Sequence, residues 1–156
     1  VQRGADVLHL SLGTEGASAV LETMVGYAAD RGVYVTASAG NVFGSNTEND
    51  ELATVTYPAA YSFSESDDGA AARPLEALSL GVGSVDAGDQ KSGFSRFGEA
   101  LELVAPGEQI YSPVPGDLLT YWDGTSMAAP MVAGALALAL GEALPAASVG
   151  CLAELI

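Results

Sequence analysis

The chain has 156 residues, enough for one domain with a hydrophobic core of its own. At 49% hydrophobic and 16% charged it is globular rather than disordered. Twenty Asp and Glu against five Lys and Arg leave a formal charge of −15, which repels phosphate backbones and excludes nucleic acid as a partner.

Nineteen glycines and seven prolines imply many tight turns. The single cysteine, Cys151, cannot close an internal disulfide and reads as a small apolar residue. The chain opens Val1-Gln2-Arg3-Gly4 without an initiator Met or a charged-then-apolar leader. It is therefore expected to be cut from a longer protein, any targeting segment being upstream or removed. The longest apolar stretch, Met127 to Leu140, falls short of the ~20 residues a membrane span needs. It reads instead as a buried core helix.

In chain order, Asp6-Val7-Leu8-His9-Leu10-Ser11-Leu12-Gly13 is a hydrophobic run ending in glycine, the form of a buried parallel strand. From Ala17 to Arg31, Val20, Leu21, Met24, Val25 and Ala28 recur at helical spacing, and Gly32 is placed to stop the helix. Gly32 to Ala39 is a second β-rich run, which makes a strand–helix–strand unit with parallel strands. Gly40 to Pro58 and Ser62 to Pro74 are polar and irregular. Leu78 to Val85 and Leu101 to Ala105 read as strands, and Leu118 to Trp122 as a short extended segment. A helix then runs from near Ser126 to about Glu142, and Val149 to Ile156 has the pattern of another helix start. No repeat or low-complexity linker divides the chain.

Gly124-Thr125-Ser126 puts a serine at a helix start, where backbone N–H groups are unpaired and the macrodipole is positive. Negative charge developing on a substrate oxygen is stabilised there. The tripeptide equally suits a plain helix cap. Pro130 falls within about the first turn of this helix, where its missing N–H costs little. Gly81-Val82-Gly83 has the glycine spacing of a nucleotide-binding loop. Val85 and Asp86 continue a strand with no helix after them, so that reading fails.

The full run Gly124-Thr125-Ser126-Met127-Ala128-Ala129-Pro130, followed by Val132-Ala133-Gly134, resembles the nucleophile segment of the subtilase family, the subtilisin-like serine proteases. Ala5-Asp6-Val7 to Ser11-Leu12-Gly13 is similar to the family's substrate-binding strand. Ala37-Ser38-Ala39-Gly40-Asn41 resembles the segment ending in its oxyanion-hole asparagine. Tyr57-Pro58-Ala59-Ala60-Tyr61, Phe94-Ser95-Arg96-Phe97-Gly98 and Val104-Ala105-Pro106-Gly107 also match, in the family's order.

The resemblance implies an α/β fold, a three-layer parallel sheet with helices on both faces, subtilisin-like and incomplete. Residues 1–156 would form the C-terminal part of a single peptidase domain, with the nucleophile helix buried in its middle. Ser126 would attack the peptide carbonyl, and its N–H would form the oxyanion hole with the side-chain amide of Asn41. Ser11, Leu12 and Gly13, with Ala37, Ser38, Ala39 and Gly40, would line the cleft and pair with an extended substrate. The family also makes calcium a candidate ligand for the acidic segments Glu48 to Glu51 and Glu65 to Asp68. Neither segment has the regular alternation of oxygen ligands around a central glycine, so no metal site is assigned. An extracellular or cell-envelope location is the family expectation.

A serine hydroxyl needs a base, and in a Ser-His-Asp triad a histidine takes the proton while an aspartate orients it. Subtilases carry both upstream of the nucleophile, in segments absent here. The only histidine, His9, sits mid-strand and reads as a packed or hydrogen-bonded residue rather than the base. Two explanations follow: the missing half of the domain supplies His and Asp, or the chain is a non-catalytic pseudoprotease or peptide-binding module. Met131 and Asp123 depart from common family residues without touching the mechanism. A sheet cut in this way leaves an unpaired edge or an apolar face, so self-association is expected.

Overall fold

The structure is a computed structural model in which residues 1–42, 54–61 and 79–141 are described. The acidic segments 48–51 and 65–68, Leu78, Glu142, Cys151 and the run 149–156 lie outside the described residues.

Strands β1 (Val7–Leu10), β2 (Tyr34–Ser38), β3 (Leu80–Val85) and β4 (Leu103–Pro106) pair side by side in that order, all parallel. Alternation along the strands sorts their side chains onto two faces. Leu8, Leu10 and Val35 meet Leu21, Val25 and Ala28 of helix α1 (Ala19–Ala29). Val7, Tyr34, Val82 and Ala105 turn the other way, against Ala128, Ala129, Val132 and Leu136 of helix α2 (Thr125–Gly141). The result is the expected α/β arrangement with a helix on each face of a parallel sheet. Small alanines on the buried side of α2 let the helix lie close to the strands.

Helix α1 begins where Ser18 caps the Leu21 N–H, and the Tyr61 hydroxyl clamps the Ser18 backbone from both sides. The chain turns out of it through Gly32, at φ +71°. Val20 and Met24, which share the helical spacing of the core residues, are 75% and 55% exposed and belong to the outer face.

One strand goes beyond the expected elements, and two expectations are corrected. The run Ile110–Val114 forms strand β5, pairing antiparallel with β6 (Leu118–Trp122) in a hairpin that stacks Tyr111 on Tyr121 at 4.7 Å. The Asp123 carboxylate holds the hairpin's base by accepting the Gln109 N–H, while Gly124 N–H donates to Gly107 O at 2.8 Å. First, α2 is not buried all round. The sheet covers one side, and Met131 and Leu138 on the other are 45% and 72% exposed. Second, the helix starts at Thr125, so Pro130 is past its first turn and leaves a carbonyl without its usual partner. Among the described residues, β3 leads into a turn closed by the Asp86 carboxylate on Gly88 and Gln90, and not into a helix. This agrees with rejecting the nucleotide-binding reading.

Strand β4 starts two residues later than its pattern suggests, because Leu101 packs under the sheet with Ala37 and Ala39. Beside it, Glu102 reaches back to accept the Gly81 N–H with Oε2. Burial pushes this carboxyl up from its ordinary 4.5 to about 7, against the opposing pull of the Gly81 and Glu102 backbone N–H groups. A folded chain that keeps a proton the unfolded chain releases is most stable at low pH from this group. That contribution fades as pH rises from 4.5 to about 7. Urea unfolding across this range should show stability falling with pH in the native chain and a flatter profile in Glu102→Gln.

Candidate active site

The residues singled out in the sequence gather at the carboxyl ends of β1 and β2, where ligands bind in open parallel sheets. Ser11, Leu12 and Gly13 follow β1 directly, and Ala39, Gly40 and Asn41 follow β2. The N-terminus of α2 points into the same region. Ser11, Gly13, Ser38, Gly40, Asn41 and Ser126 share one cleft of about 320 Å³.

One carboxamide fixes the centre. Asn41 Oδ1 accepts from the Thr125 N–H at 3.0 Å and from the Thr125 hydroxyl at 2.9 Å. It thereby caps α2 from a distant part of the chain. Because Oδ1 must be the acceptor of that N–H, the amide NH2 is the end left facing the helix start. A Cβ placed on Gly124 would lie 3.2 Å from Asn41 Nδ2, so glycine is what lets the two approach. Among the described residues, neither Asn41 Nδ2 nor the Ser126 N–H has a hydrogen-bond acceptor. Two donors are thus free beside the Ser126 hydroxyl, at the positive end of a helix.

The cleft walls are held by residues that sequence reasoning passed over. Thr125 is 1% exposed, and its hydroxyl also accepts the Gly40 N–H at 3.2 Å, tying β2 to α2. Thr56 wedges its side chain between Gly13 and Gly40 and leaves no room for a Cβ on either. Arg96, 8% exposed, bonds Thr54 O and Glu15 Oε1, and its backbone N–H donates to Gly40 O. No periodicity or spacing could have joined these segments.

Other candidates are placed differently. Ala37 and Ala39 are fully buried in a cluster with Val55 and Ala59, so their side chains do not line the cleft. Ser38 lies between them and, by strand alternation, faces the other way, into it. Leu12 is 51% exposed at the rim. His9 has both ring nitrogens in hydrogen bonds, to Thr36 Oγ1 and Ser11 Oγ. It is a hydrogen-bonded strand histidine, as its setting suggested. No group of three or more His, Cys, Asp or Glu side chains that could hold a metal occurs among the described residues.

Ser126 also borders a second, apolar cavity of about 480 Å³ between the β5–β6 hairpin and α2, lined by Tyr111, Trp122, Met127 and Met131. Ser126 thus presents a hydroxyl at a helix N-terminus, with two free donors beside it and a cavity on either side.

The Subtilase family pattern, peptidase S8, matches residues 1–156, and the chain belongs to this family of serine proteases. It is 39% identical over 141 residues to subtilisin DY of Bacillus licheniformis, covering 90% of this chain and 44% of that protein. Subtilisin BL of Lederbergia lenta is 38% identical over 135 residues, 86% of this chain and 42% of its own. A solved serine-to-alanine mutant of the protease domain of PatA superimposes with a TM-score of 0.70 at 30% identity. That match covers 90% of this chain and 46% of that one. The chain spans less than half the length of these relatives.

Gly40 is the tightest point of the cleft, at φ +98° with Thr56 and Arg96 atoms 2.8 to 2.9 Å from where a Cβ would sit. Gly40→Ala should cost about 2–4 kcal/mol, combining backbone strain with overpacking. Gly116, at φ +91° with open space around it, isolates the strain alone, and Gly116→Ala should cost about 1 kcal/mol. Urea unfolding of the two variants side by side measures the difference.

Proposed function

We propose that this chain is the nucleophile-bearing, C-terminal part of a single serine endopeptidase domain. Ser126 Oγ adds to a peptide carbonyl, the C–N bond breaks, and an acyl-enzyme forms that water then hydrolyses. The observation that carries this reading is the anchoring of the Asn41 carboxamide on Thr125, beside Ser126. The Ser126 N–H and Asn41 Nδ2 would take the carbonyl oxygen as it becomes an oxyanion. The exposed segment Ser11–Gly13 would pair with an extended polypeptide as an added strand. The clefts on either side of Ser126 would take the chain before and after the scissile bond.

The proton of Ser126 needs a base, and His9 is not it, because its ring nitrogens are engaged by Thr36 on β2 and by Ser11 just after β1. The triad His and Asp would come from the other half of the domain. Packing of that half against α2 and the hairpin would cover Met131, Leu138, Tyr121 and Trp122, which are exposed here. The isolated chain would then be inactive and self-associating. An extracellular or cell-envelope setting follows from family resemblance and completes the proposal; calcium is carried only as a family ligand, with no site assigned to it. No described helix is long and apolar enough to cross a membrane.

A fluorophosphonate probe tests the reading. It should label Ser126 in the longer protein that carries the upstream segments, and label neither Ser126→Ala nor the 156-residue chain alone. Absence of labelling in the longer protein would replace this reading with a pseudoprotease or peptide-binding module. Asn41→Ala should lower kcat by about a hundred- to a thousand-fold, a scale set by a subtilisin precedent rather than by this chain's geometry. Gel filtration of the isolated chain should give a mass above the monomer, and a compact monomer would count against an uncovered face.

A further inference from the structure

Ser126 has a backbone problem its own helix cannot solve. In an α-helix each carbonyl accepts from the N–H four residues on. For Ser126 that residue is Pro130, which has no N–H. The acceptor is filled from another element: the Ser11 hydroxyl donates to Ser126 O at 2.7 Å.

Counting protons then fixes the direction of everything behind it. Ser11 Oγ carries one hydrogen, and Ser126 O takes it. His9 Nε2, 2.7 Å from Ser11 Oγ, must therefore be the donor. Partial burial lowers the His9 pKa and so favours the neutral ring, whose single proton the bond to Ser11 then puts on Nε2. Nδ1 is left as an acceptor, 3.2 Å from the fully buried Thr36 hydroxyl. Donation runs one way: Thr36 to His9, His9 to Ser11, Ser11 to the Ser126 carbonyl. The strands make this line possible. His9 and Thr36 stand in register on β1 and β2, and residues 7, 9 and 11 alternate onto the side that carries α2.

We infer that Ser11 is a positioning residue for the nucleophile, holding the Ser126 peptide by its carbonyl, and that His9 and Thr36 act through Ser11. The N–H of this peptide, on Met127, bonds Gly124 O at 2.9 Å, but its carbonyl is the one the helix leaves without a donor, and the orientation of the peptide sets where the Ser126 hydroxyl points. Ser11 also begins the cleft-lining segment, so one side chain would tie the substrate strand to the attacking residue. This rests on reading Ser126 as the nucleophile; the hydrogen-bond line itself does not.

The test has two arms. His9 is the only histidine, so an imidazole ¹⁵N spectrum of the chain reports it alone. The expected result is a proton on Nε2 and none on Nδ1 at neutral pH, and the opposite tautomer would overturn the line. In the longer protein with its upstream segments, Ser11→Ala should slow fluorophosphonate labelling of Ser126 about tenfold, the factor for one hydrogen bond of ~1.4 kcal/mol. Ser11→Thr, which keeps the hydroxyl, should restore the native rate. Where Ser11→Ala does not fold, His9→Phe removes the donor behind Ser11 and should also slow labelling. Native-rate labelling in folded Ser11→Ala or His9→Phe would overturn the positioning role while leaving the nucleophile intact. No labelling of the native protein would overturn both, and the spectrum would still decide the hydrogen-bond line.

Discussion

The contact between Asn41 and Thr125 governs the site. Without it the first N–H of α2, on the buried Thr125, would be an unsatisfied donor, and the end of β2 would have no fixed distance from that helix. With it, one carboxamide does two jobs. Its oxygen completes the helix cap, and by doing so turns its nitrogen toward Gly124 and the start of the helix. Thr125 adds a second tie by accepting the Gly40 N–H, so β2 and α2 are joined by three hydrogen bonds through one side chain on each. The donors beside Ser126 are therefore oriented by the fold before any ligand arrives, the arrangement that electrostatic stabilisation of an oxyanion requires.

The same economy of small polar groups runs through the sheet. Thr36, Thr56, Ser84, Ser92, Ser95 and Thr125 are all buried, and each hydroxyl has a partner. Buried hydroxyls cost free energy unless bonded, so their satisfaction specifies one arrangement of the segments they join. Thr56 illustrates the point. It bonds Ala39 O, and its bulk sets the separation of Gly13 from Gly40, the two walls of the cleft. An apolar residue of similar size would fill the gap and keep the Thr56 N–H bond to Ala39 O at 2.9 Å, but would lose the second, side-chain bond to that carbonyl.

Much of this was legible in the sequence, and the failures have a common cause. The runs that became β1, α1 and β2 carry their own periodicity, and Gly32 marks the exit from the helix, so local reading sufficed there. The nucleophile motif and the segment ending in Asn41 were legible as motifs. That residue 41 would cap a helix beginning at 125 was not, because nothing local to either segment encodes the other. Strand β5 was missed for a similar reason. Pro113 and Ser112 weaken its pattern, and it is a strand because β6 pairs with it, residue 110 to residue 122 through residue 114 to residue 118. Val20 and Met24 fit the helical spacing yet face outward, since a stripe that broad exceeds what one sheet face can cover.

His9 shows most sharply how the fold divides labour. A general base must offer a lone pair to the hydroxyl it deprotonates. The lone pair of His9 is on Nδ1, facing Thr36 on the neighbouring strand, while its N–H is spent on Ser11. With the proton on Nδ1 instead, Nε2 and the Ser126 carbonyl would both be acceptors facing Ser11 Oγ, which has one hydrogen to give, and one of them would lose its donor. The imidazole is therefore held in the tautomer least suited to removing a proton and best suited to passing order along a line of hydrogen bonds. On the proposed function, what these residues would supply is orientation: a held nucleophile backbone, two aimed donors and a strand edge for a polypeptide. On the proposed reading of Ser126, proton transfer would come from a side chain that approaches it from the side α2 leaves open, where Met131 is exposed and the apolar cavity begins.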